Sequence, residues 1–318
     1  MVCSDGVDRG ISPVVGAVIL VGIVALLAGT GGVLFLGLAD DPDPAPGATL
    51  DVETAGDGLH HRLVHGGGDT IDGGELAIRG TADPDAAAGT RLTAGTAVEI
   101  YPVDEEIRVV WRGEDDTTYV LTTATVERTL PEPDETCEWV DAETDGGTDP
   151  ITIDGLVVDC DVETDEGITV SDGGVVVGES ASGAKDFDGD DATVYGDVDV
   201  EKVVNIQTGT VRGSVLSRTA DAKLENVTVD GSVTARKVVE VLAGSAVGGD
   251  VESENNTVKV FDSTVSGSVL AADGEQVKLD NATVEGHVYV EEAAFDCTDS
   301  TIGGRDCDDY TPRDPDEA

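Results

Sequence analysis

Three aspartates at alternating positions form the most obvious candidate for a metal site in this sequence of 318 residues: Asp186, Asp188 and Asp190. Alternating carboxylates with Asp197 at the twelfth position are typical of a calcium loop, in which oxygen ligands surround the ion. Such a loop needs glycine at its sixth position for a sharp turn, and this chain has Asp191 there. We therefore interpret the run as acidic surface and expect no bound metal.

Three histidines fall within six residues and form a second candidate metal cluster: His60, His61 and His65. On a β-strand His60 and His61 face opposite sides, whereas His61 and His65 share a face at a separation of about 13 Å. That is too far for one ion without a bend, so structural roles near a turn are favoured. The sequence also lacks a nucleophile–base pair and a phosphate loop. It therefore predicts no enzyme, no cofactor and no small-molecule substrate.

The chain contains five cysteines: Cys3, Cys137, Cys160, Cys297 and Cys307. None forms a C-x-x-C pair, and no histidine lies at zinc-finger spacing from them, so a structural zinc site is disfavoured. If most of the chain lies outside the cell, Cys137 with Cys160 and Cys297 with Cys307 are candidates for local disulfides. Buried free thiols are the alternative, because pairing cannot be deduced from sequence.

The acidic residues are too numerous and too dispersed to mark a site. The chain has 66 Asp and Glu against 18 Lys and Arg, which gives a formal net charge of −48. This charge would repel nucleic acids and anionic membrane surfaces, so both are excluded as partners. At molar salt the Debye length falls to about 3 Å, and the self-repulsion is screened. With 39% hydrophobic residues the chain can still form packed domains, so we interpret the acid as a surface adapted to high salt.

Residues 11–38 contain no ionisable side chain. As a helix they would span about 42 Å, which exceeds the hydrocarbon core of a bilayer. The segment is also too long for the apolar region of a secretory signal. Arg9 precedes it, which favours a cytoplasmic N-terminus and places the chain beyond Leu38 outside the cell. The sequence thus predicts one transmembrane helix, with an uncleaved anchor as the simplest interpretation.

The residues around this helix indicate something more specific. Arg9-Gly10 followed by Ile11-Ser12-Pro13-Val14-Val15-Gly16 resembles the class III signal peptide of haloarchaeal type IV pilins. The resemblance implies that residues 1–10 are a leader, which a prepilin peptidase removes between Gly10 and Ile11. It further implies that helix 11–38 stays on the mature protein, and that the membrane, the pilus assembly machinery and other pilins are partners.

The next regions form a linker and a first outer domain. Residues 39–47 are rich in Asp and Pro and predict a semi-rigid spacer. Residues 48–130 contain short β-branched runs between polar turns, which predicts a small β-sandwich with strands at 49–54, 60–64, 75–79, 97–101, 106–112 and 118–127. Two segments here, 63–78 and 93–111, resemble the head domain of haloarchaeal pilins, so the resemblance covers about residues 8–127. The head of that family is structural.

The C-terminal part is a repeat. Residues 131–193 predict an acidic connector with possible irregular rungs. Beyond them Gly-x-Val recurs about every 18 residues, beginning at Gly213, Gly231, Gly249, Gly267 and Gly286. Constant columns of this kind predict a parallel β-helix (solenoid) over residues 194–307, followed by an acidic tail, 308–318. The absence of proline from 151 to 311 fits, since each rung strand needs its N–H groups. An antiparallel sandwich, the alternative, would not need so constant a period.

Three N-x-T sequons lie within the repeat, at Asn226, Asn255 and Asn281. Asn226 and Asn281 hold equivalent rung positions, so glycans on them would line one edge of the solenoid. Chance matches are common in a Thr-rich sequence, so glycosylation and plain surface asparagine both stay open.

The short, loop-free rungs of residues 194–304 resemble those of bactofilins, whose β-helices stack end to end into filaments without nucleotide. The tail that follows Cys297 and Cys307 departs from that pattern, because it would cap the final rung and hinder stacking.

Taken together, the sequence predicts a mainly β chain with an N-terminal transmembrane helix, a small β-sandwich and a parallel β-helix of 18-residue rungs. The predicted function is that of a non-enzymatic cell-surface protein of a salt-loving archaeon, with a solenoid that can be glycosylated. We expect a type IV pilin-like subunit or minor pilin used in adhesion, with most of the chain extracellular. A permanently anchored, self-associating solenoid similar to bactofilins and a carbohydrate-binding solenoid are the alternatives.

Overall fold

The computed structural model describes residues 45–56, 58–113, 117–272 and 275–317. The predicted leader, the processing position between Gly10 and Ile11, the apolar helix and most of the linker lie outside these ranges. Within the described residues, no helix is long and apolar enough to cross a bilayer. These residues form a β-sandwich head followed by a β-solenoid, which confirms the predicted mainly β fold.

Among its described residues the head contains eight strands: β1 (Ala48–Thr54), β2 (His61–Gly68), β3 (Ile71–Asp72), β4 (Leu76–Arg79), β5 (Arg91–Leu92), β6 (Ala97–Ile100), β7 (Glu106–Arg112) and β8 (Thr118–Thr125). Two antiparallel sheets, β1-β2-β6 and β4-β7-β8, pack around one apolar core, and β3 pairs with β5 beside them. Ile107 and Val109 on β7 are fully buried, whereas Arg108 between them is exposed. This alternation is expected for a sheet with one face on a core.

Two short elements connect the head to the solenoid: β9 (Glu135–Thr136) and helix α1 (Cys137–Glu143). Val140 on α1 is buried in the same apolar cluster as the rungs of the solenoid. The helix therefore covers the first rung, and β9 adds a parallel strand at this end.

The solenoid has three faces, because each turn contributes three short strands. Face 1 contains β10 (Ile151–Asp154), β13 (Ile168–Ser171), β16 (Phe187–Asp190), β19 (Val204–Ile206), β22 (Ala222–Glu225), β25 (Val239–Leu242), β28 (Val258–Phe261), β31 (Val277–Asp280) and β34 (Phe295–Thr298). Face 2 contains β11 (Val157–Asp159), β14 (Val175–Val176), β17 (Ala192–Val194), β20 (Gly209–Val211), β23 (Val227–Val229), β26 (Ala246–Val247), β29 (Thr264–Val265), β32 (Thr283–Val284), β35 (Thr301–Ile302) and the antiparallel β36 (Arg305–Asp306). Face 3 contains β12 (Val162–Thr164), β15 (Ser180–Gly183), β18 (Asp197–Val200), β21 (Val215–Ser217), β24 (Val233–Ala235), β27 (Val251–Ser253), β30 (Val269–Ala271) and β33 (Val288–Tyr289).

The interior of the solenoid consists of stacked aliphatic columns. On face 1, Val204 aligns with Ala222, which aligns with Val239 and then Val258 in successive rungs. All four side chains are fully buried. Burial of a valine side chain stabilises the fold by roughly 1.5–3 kcal/mol relative to exposure, so the repeated columns supply the main apolar stabilisation.

The repeated glycine marks the corner before face 3, where successive turns approach closely. A Cβ atom on Gly267 would lie 2.4 Å from the backbone oxygen of Gly249. A Cβ atom on Gly286 would lie 2.5 Å from the backbone oxygen of Gly267. No larger residue fits this column without moving the backbone, which explains why glycine recurs in the rungs from Gly196 to Gly286.

The solenoid starts earlier than the glycine repeat. Residues 131–193, predicted as an acidic connector with possible irregular rungs, contain regular rungs from Ile151 onward. The whole solenoid has about eight turns of about 18 residues.

The C-terminal end of the solenoid is closed by the tail. The N–H of Val290 donates to the carbonyl of Arg313, and the N–H of Arg313 donates to the carbonyl of Val288, both at 2.9 Å. The N–H of Val288 also donates to the hydroxyl of Tyr310 at 2.9 Å. The ring of Tyr310 meets that of Phe295 edge-on, with 6.2 Å between the ring centroids. The open edge of face 3 is thus occupied by this chain's own backbone.

Candidate functional site

The head and the solenoid meet in a small apolar cluster. Leu59 and Tyr101 of the head pack with Leu130 of the connection and Val177 of the solenoid, and all four are buried. The hydroxyl of Tyr101 donates to the carbonyl of Pro131 at 2.6 Å. Burial, followed by the negative charge of Asp159, raises the pKa of the Tyr101 phenol. This phenol therefore stays protonated and serves as a hydrogen-bond donor. We call this region, where the cluster of Leu59, Tyr101, Leu130 and Val177 connects the head to the solenoid, the joint.

A polar contact ties the same joint from the side. Nε2 of His60 lies 2.9 Å from Oδ1 of Asp159, which is on face 2 of the solenoid. The His60 ring also meets the Tyr101 ring edge-on, with centroids 5.4 Å apart. Sequence reasoning missed Tyr101 and Asp159 because neither belongs to a motif, and only tertiary packing brings them to His60.

A cavity of about 440 Å³ opens beside this joint, lined in part by His60, Glu99, Asp159 and Asp161. All three carboxylates already have structural partners: Asp159 and Glu99 contact the two ring nitrogens of His60, and Asp161 accepts the backbone N–H of Ser180 at 3.1 Å. The cavity is therefore a polar cleft at the interface between the head and the solenoid.

The other two histidines of the candidate cluster lie on β2 within the head. His65 is fully buried, and its Nε2 lies 2.8 Å from the carbonyl oxygen of Asp69, across the turn that follows β2. His61 is also buried. His65 therefore serves to fix the turn, whereas His60 belongs to the joint.

The structure contains both candidate disulfides, and each lies at an end of the solenoid. Cys137, at the start of α1, is bonded to Cys160, which follows β11, with 5.0 Å between their Cα atoms. Cys297 on β34 is bonded to Cys307 in the tail, with a Cα–Cα distance of 5.8 Å. Each bond therefore fastens a capping element to the adjacent rung.

The candidate calcium run lies on and beside β16 in the third turn of face 1. The carboxylate of Asp186 accepts the backbone N–H of Val203 at 3.0 Å, and Asp188 accepts the side-chain amide of Asn205 at 3.4 Å. Asp190 is exposed at the end of the strand. Within the described residues, no group of three His, Cys, Asp or Glu side chains is placed to hold a metal ion.

Two of the sequons lie at one corner of the solenoid. Asn226 and Asn281 have φ values of 58° and 50°, a left-handed conformation that asparagine tolerates better than most residues. Both are exposed, as is Asn255 at a different corner. The left-handed corner therefore gives Asn226 and Asn281 a structural role, and their glycosylation stays a prediction.

The N-terminal segment of the chain is similar to a known protein family. Residues 9–50 match the family described as archaeal type IV pilin, N-terminal. This segment resembles an archaeal pilin N-terminus. The match confirms the resemblance predicted from Arg9, Gly10 and the apolar residues after them. It ends within β1, so the pilin resemblance of the head stays a prediction.

The matched family implies a membrane-anchored surface pilin that works with pilus assembly machinery and other pilins. No curated protein matches the chain.

Proposed function

We propose that this chain is a non-enzymatic, type IV pilin-like surface subunit in which a rigid solenoid is joined to a pilin-type N-terminus. The match of residues 9–50 to the archaeal pilin family carries this proposal. The Arg9-Gly10-Ile11 junction within that match is the proposed processing position. Removal of residues 1–10 would leave an uncharged segment, 11–38, that associates with the corresponding segments of other pilins.

An extracellular location for the outer part is supported by its covalent chemistry. Disulfides persist in oxidising surroundings outside the cell, and the structure contains two of them, Cys137–Cys160 and Cys297–Cys307. The formal charge of −48 suits a surface that faces concentrated salt, where self-repulsion is screened. We therefore place the head and the solenoid outside the cell of a salt-loving archaeon.

The joint supports a role for the solenoid as a rigid domain that projects from the cell surface and can bear load. A buried cluster and the His60–Asp159 contact join the head to face 2, so the two domains are held in a fixed orientation. A bulky outer part of this kind favours a minor or tip subunit that presents the solenoid for adhesion.

The alternative of a bactofilin-like solenoid that stacks end to end is disfavoured by both ends of the solenoid. Helix α1 covers the first rung, and residues of the tail pair with the last strand of face 3. End-to-end addition needs open strand edges, and these caps occupy them.

The proposal is tested by following the chain into sheared surface filaments. Wild-type chain, Gly10→Val and Gly6→Val would be expressed in an archaeal host that has a prepilin peptidase. We expect wild type and Gly6→Val in the filament fraction, with Gly10→Val retained in the membrane because its leader is not removed. Equal recovery of Gly10→Val in filaments would contradict the proposed processing, and absence of all three from filaments would favour a permanent anchor.

A further inference from the structure

The folded solenoid presents its three N-x-T sequons in different ways. An acceptor sequon is expected in a surface loop, where the asparagine and the threonine two residues later can be reached together. Asn255 lies in the turn 254–257, which joins β27 on face 3 to β28 on face 1. Asn226 and Asn281 lie at the corner between faces 1 and 2, directly before strands of face 2.

The sequon of Asn226 continues into an interior strand. Val227 is buried, and its N–H donates to the hydroxyl of Ser245 in the next rung at 3.1 Å. Thr228 lies on β23, which pairs with β20 on one side and with β26 on the other. A transferase could bind residues 226–228 only if this part of the rung left the sheet.

The sequon of Asn281 is held in the same way, and its amide is also engaged. Ala282 is buried and donates its N–H to the hydroxyl of Ser300 at 2.9 Å. Thr283 lies on β32, between β29 and β35. Nδ2 of Asn281, the atom that would carry a glycan, donates to Oδ1 of Asp262 at 2.7 Å. A glycan on Nδ2 would compete with this hydrogen bond.

The sequon of Asn255 lies wholly within a turn. Asn255 is exposed, and Asn256 and Thr257 are half-buried. The N–H of Asn256 donates to the hydroxyl of Ser253 at 3.0 Å, and the N–H of Thr257 donates to the side-chain oxygen of Asn256 at 2.8 Å. These bonds fix the turn from within. Among the described residues, the side-chain amide of Asn255 has no hydrogen-bond partner, so its Nδ2 is available.

We infer that Asn255 is the N-glycosylation site of the folded solenoid, and that Asn226 and Asn281 stay unmodified. The co-substrate is an oligosaccharide carried on a lipid phosphate. Nδ2 of Asn255 forms a bond to C1 of the first sugar, and the bond between C1 and the phosphate oxygen breaks. Nδ2 loses one proton to a base of the transferase, and the lipid phosphate leaves with the bonding electrons. The inference rests on the extracellular location given in the proposed function.

The position of Asn255 leaves the joint uncovered. The head packs against face 2 through Val157, Val175 and Val177, near the first rungs. The corner between faces 3 and 1 is opposite face 2 in a solenoid with three faces. A glycan on Asn255 therefore projects from a convex corner on the side away from the head, where it adds uncharged, hydrated volume.

Mass spectrometry of the full chain tests the assignment. The chain would be produced in an archaeal host that N-glycosylates its own surface proteins, then reduced and digested with trypsin. Cleavage after Lys and Arg places the sequons in separate peptides, 224–236, 238–259 and 279–305. We expect added glycan mass on 238–259 and unmodified masses for the other two. A glycan on 224–236 or 279–305, or on none of the three while a host glycoprotein in the same sample is modified, would overturn the assignment.

Matched variants test whether the sequon itself directs the transfer. Thr257→Ala should remove all added mass from peptide 238–259, whereas Thr257→Ser keeps the hydroxyl and should retain the glycan. Thr228→Ala, in the sequon of Asn226, should leave that glycan in place. Retention of the glycan in Thr257→Ala, or its equal loss in Thr257→Ala and Thr257→Ser, would refute the assignment.

The same spectra distinguish this inference from the proposed pilin processing. A mature chain that begins at Ile11 but has no glycan on Asn255 would overturn the glycosylation alone. A chain that keeps residues 1–10 and carries a glycan on Asn255 would confirm the glycosylation and contradict the processing.

Discussion

The tail that closes the solenoid can be tested by removal of one side chain, Tyr310. Its hydroxyl accepts the N–H of Val288, and its ring packs against Phe295. Loss of one such hydrogen bond costs about 1 kcal/mol, and loss of the edge-on ring contact costs about another 1 kcal/mol. Tyr310→Phe should therefore destabilise the last rung by about 1 kcal/mol. Tyr310→Ala should destabilise it by about 2–3 kcal/mol, since buried apolar area is lost as well.

Amide hydrogen exchange measures this loss at the residues concerned. The N–H of Val290 donates to Arg313 in the tail, so its exchange reports on opening of the tail. With about 1.4 kcal/mol per factor of ten, Tyr310→Ala should speed exchange at Val290 about 30- to 140-fold, and Tyr310→Phe about fivefold. The N–H of Val233, in the middle of the solenoid, should exchange at an unchanged rate.

Exchange at the two valines distinguishes local opening of the tail from unfolding of the whole solenoid. If Val290 exchanges at the wild-type rate in Tyr310→Ala, the tail does not close the solenoid. If Val233 accelerates as much as Val290, the solenoid unfolds as one unit, and the effect is not local to the last rung. In either case the caps would no longer count against end-to-end stacking.

Two further predictions concern the corners of the solenoid. Gly249→Ala should lower the melting temperature clearly, because the new Cβ would lie 2.8 Å from backbone atoms of the preceding turn, whereas Gly56→Ala, with no atom within 4 Å, should not. Asp172→Asn should raise the melting temperature at pH 7. The hydrogen-bonded carboxyl of Asp154, and then its charge, raise the pKa of Asp172 in the folded protein, so ionisation of Asp172 costs stability above that pKa. The increase in melting temperature over wild type should shrink as pH falls through the raised pKa and vanish below about pH 3.9. Asp299→Asn, at an equivalent left-handed corner, is the control.

The strands of the head were largely predictable from sequence. The predicted strand 106–112 coincides with β7, and 49–54 differs from β1 by one residue. The alternation of buried and exposed residues and the polar turns were sufficient here, because each strand has one face on the core. The two-residue strands β3 and β5 were missed, since so short a segment shows no alternation.

The first rungs of the solenoid were predictable only in part, because the glycine column that marks the later rungs is not continuous there. Glu179 stands at the position that Gly196 occupies in the next rung. Without that column the period could not be read from residues 151–193. Helix α1 was missed because seven residues are too few to show a helical period.

The joint between the two domains could not have been predicted from sequence. His60 and Asp159 are 99 residues apart, and no sequence motif contains both. Their contact depends on how a sandwich packs on a solenoid, which no local pattern encodes. The N-terminal resemblance was predictable for the opposite reason, because a short contiguous run around Arg9, Gly10 and Ile11 carries it.

The central claim, processing as a type IV pilin, is tested most directly by mass spectrometry of the mature N-terminus in the cell-surface fraction. The mature protein is expected to begin at Ile11, with no peptide from residues 1–10. Detection of the leader still joined to residue 11 in most of the surface-exposed chain would contradict it.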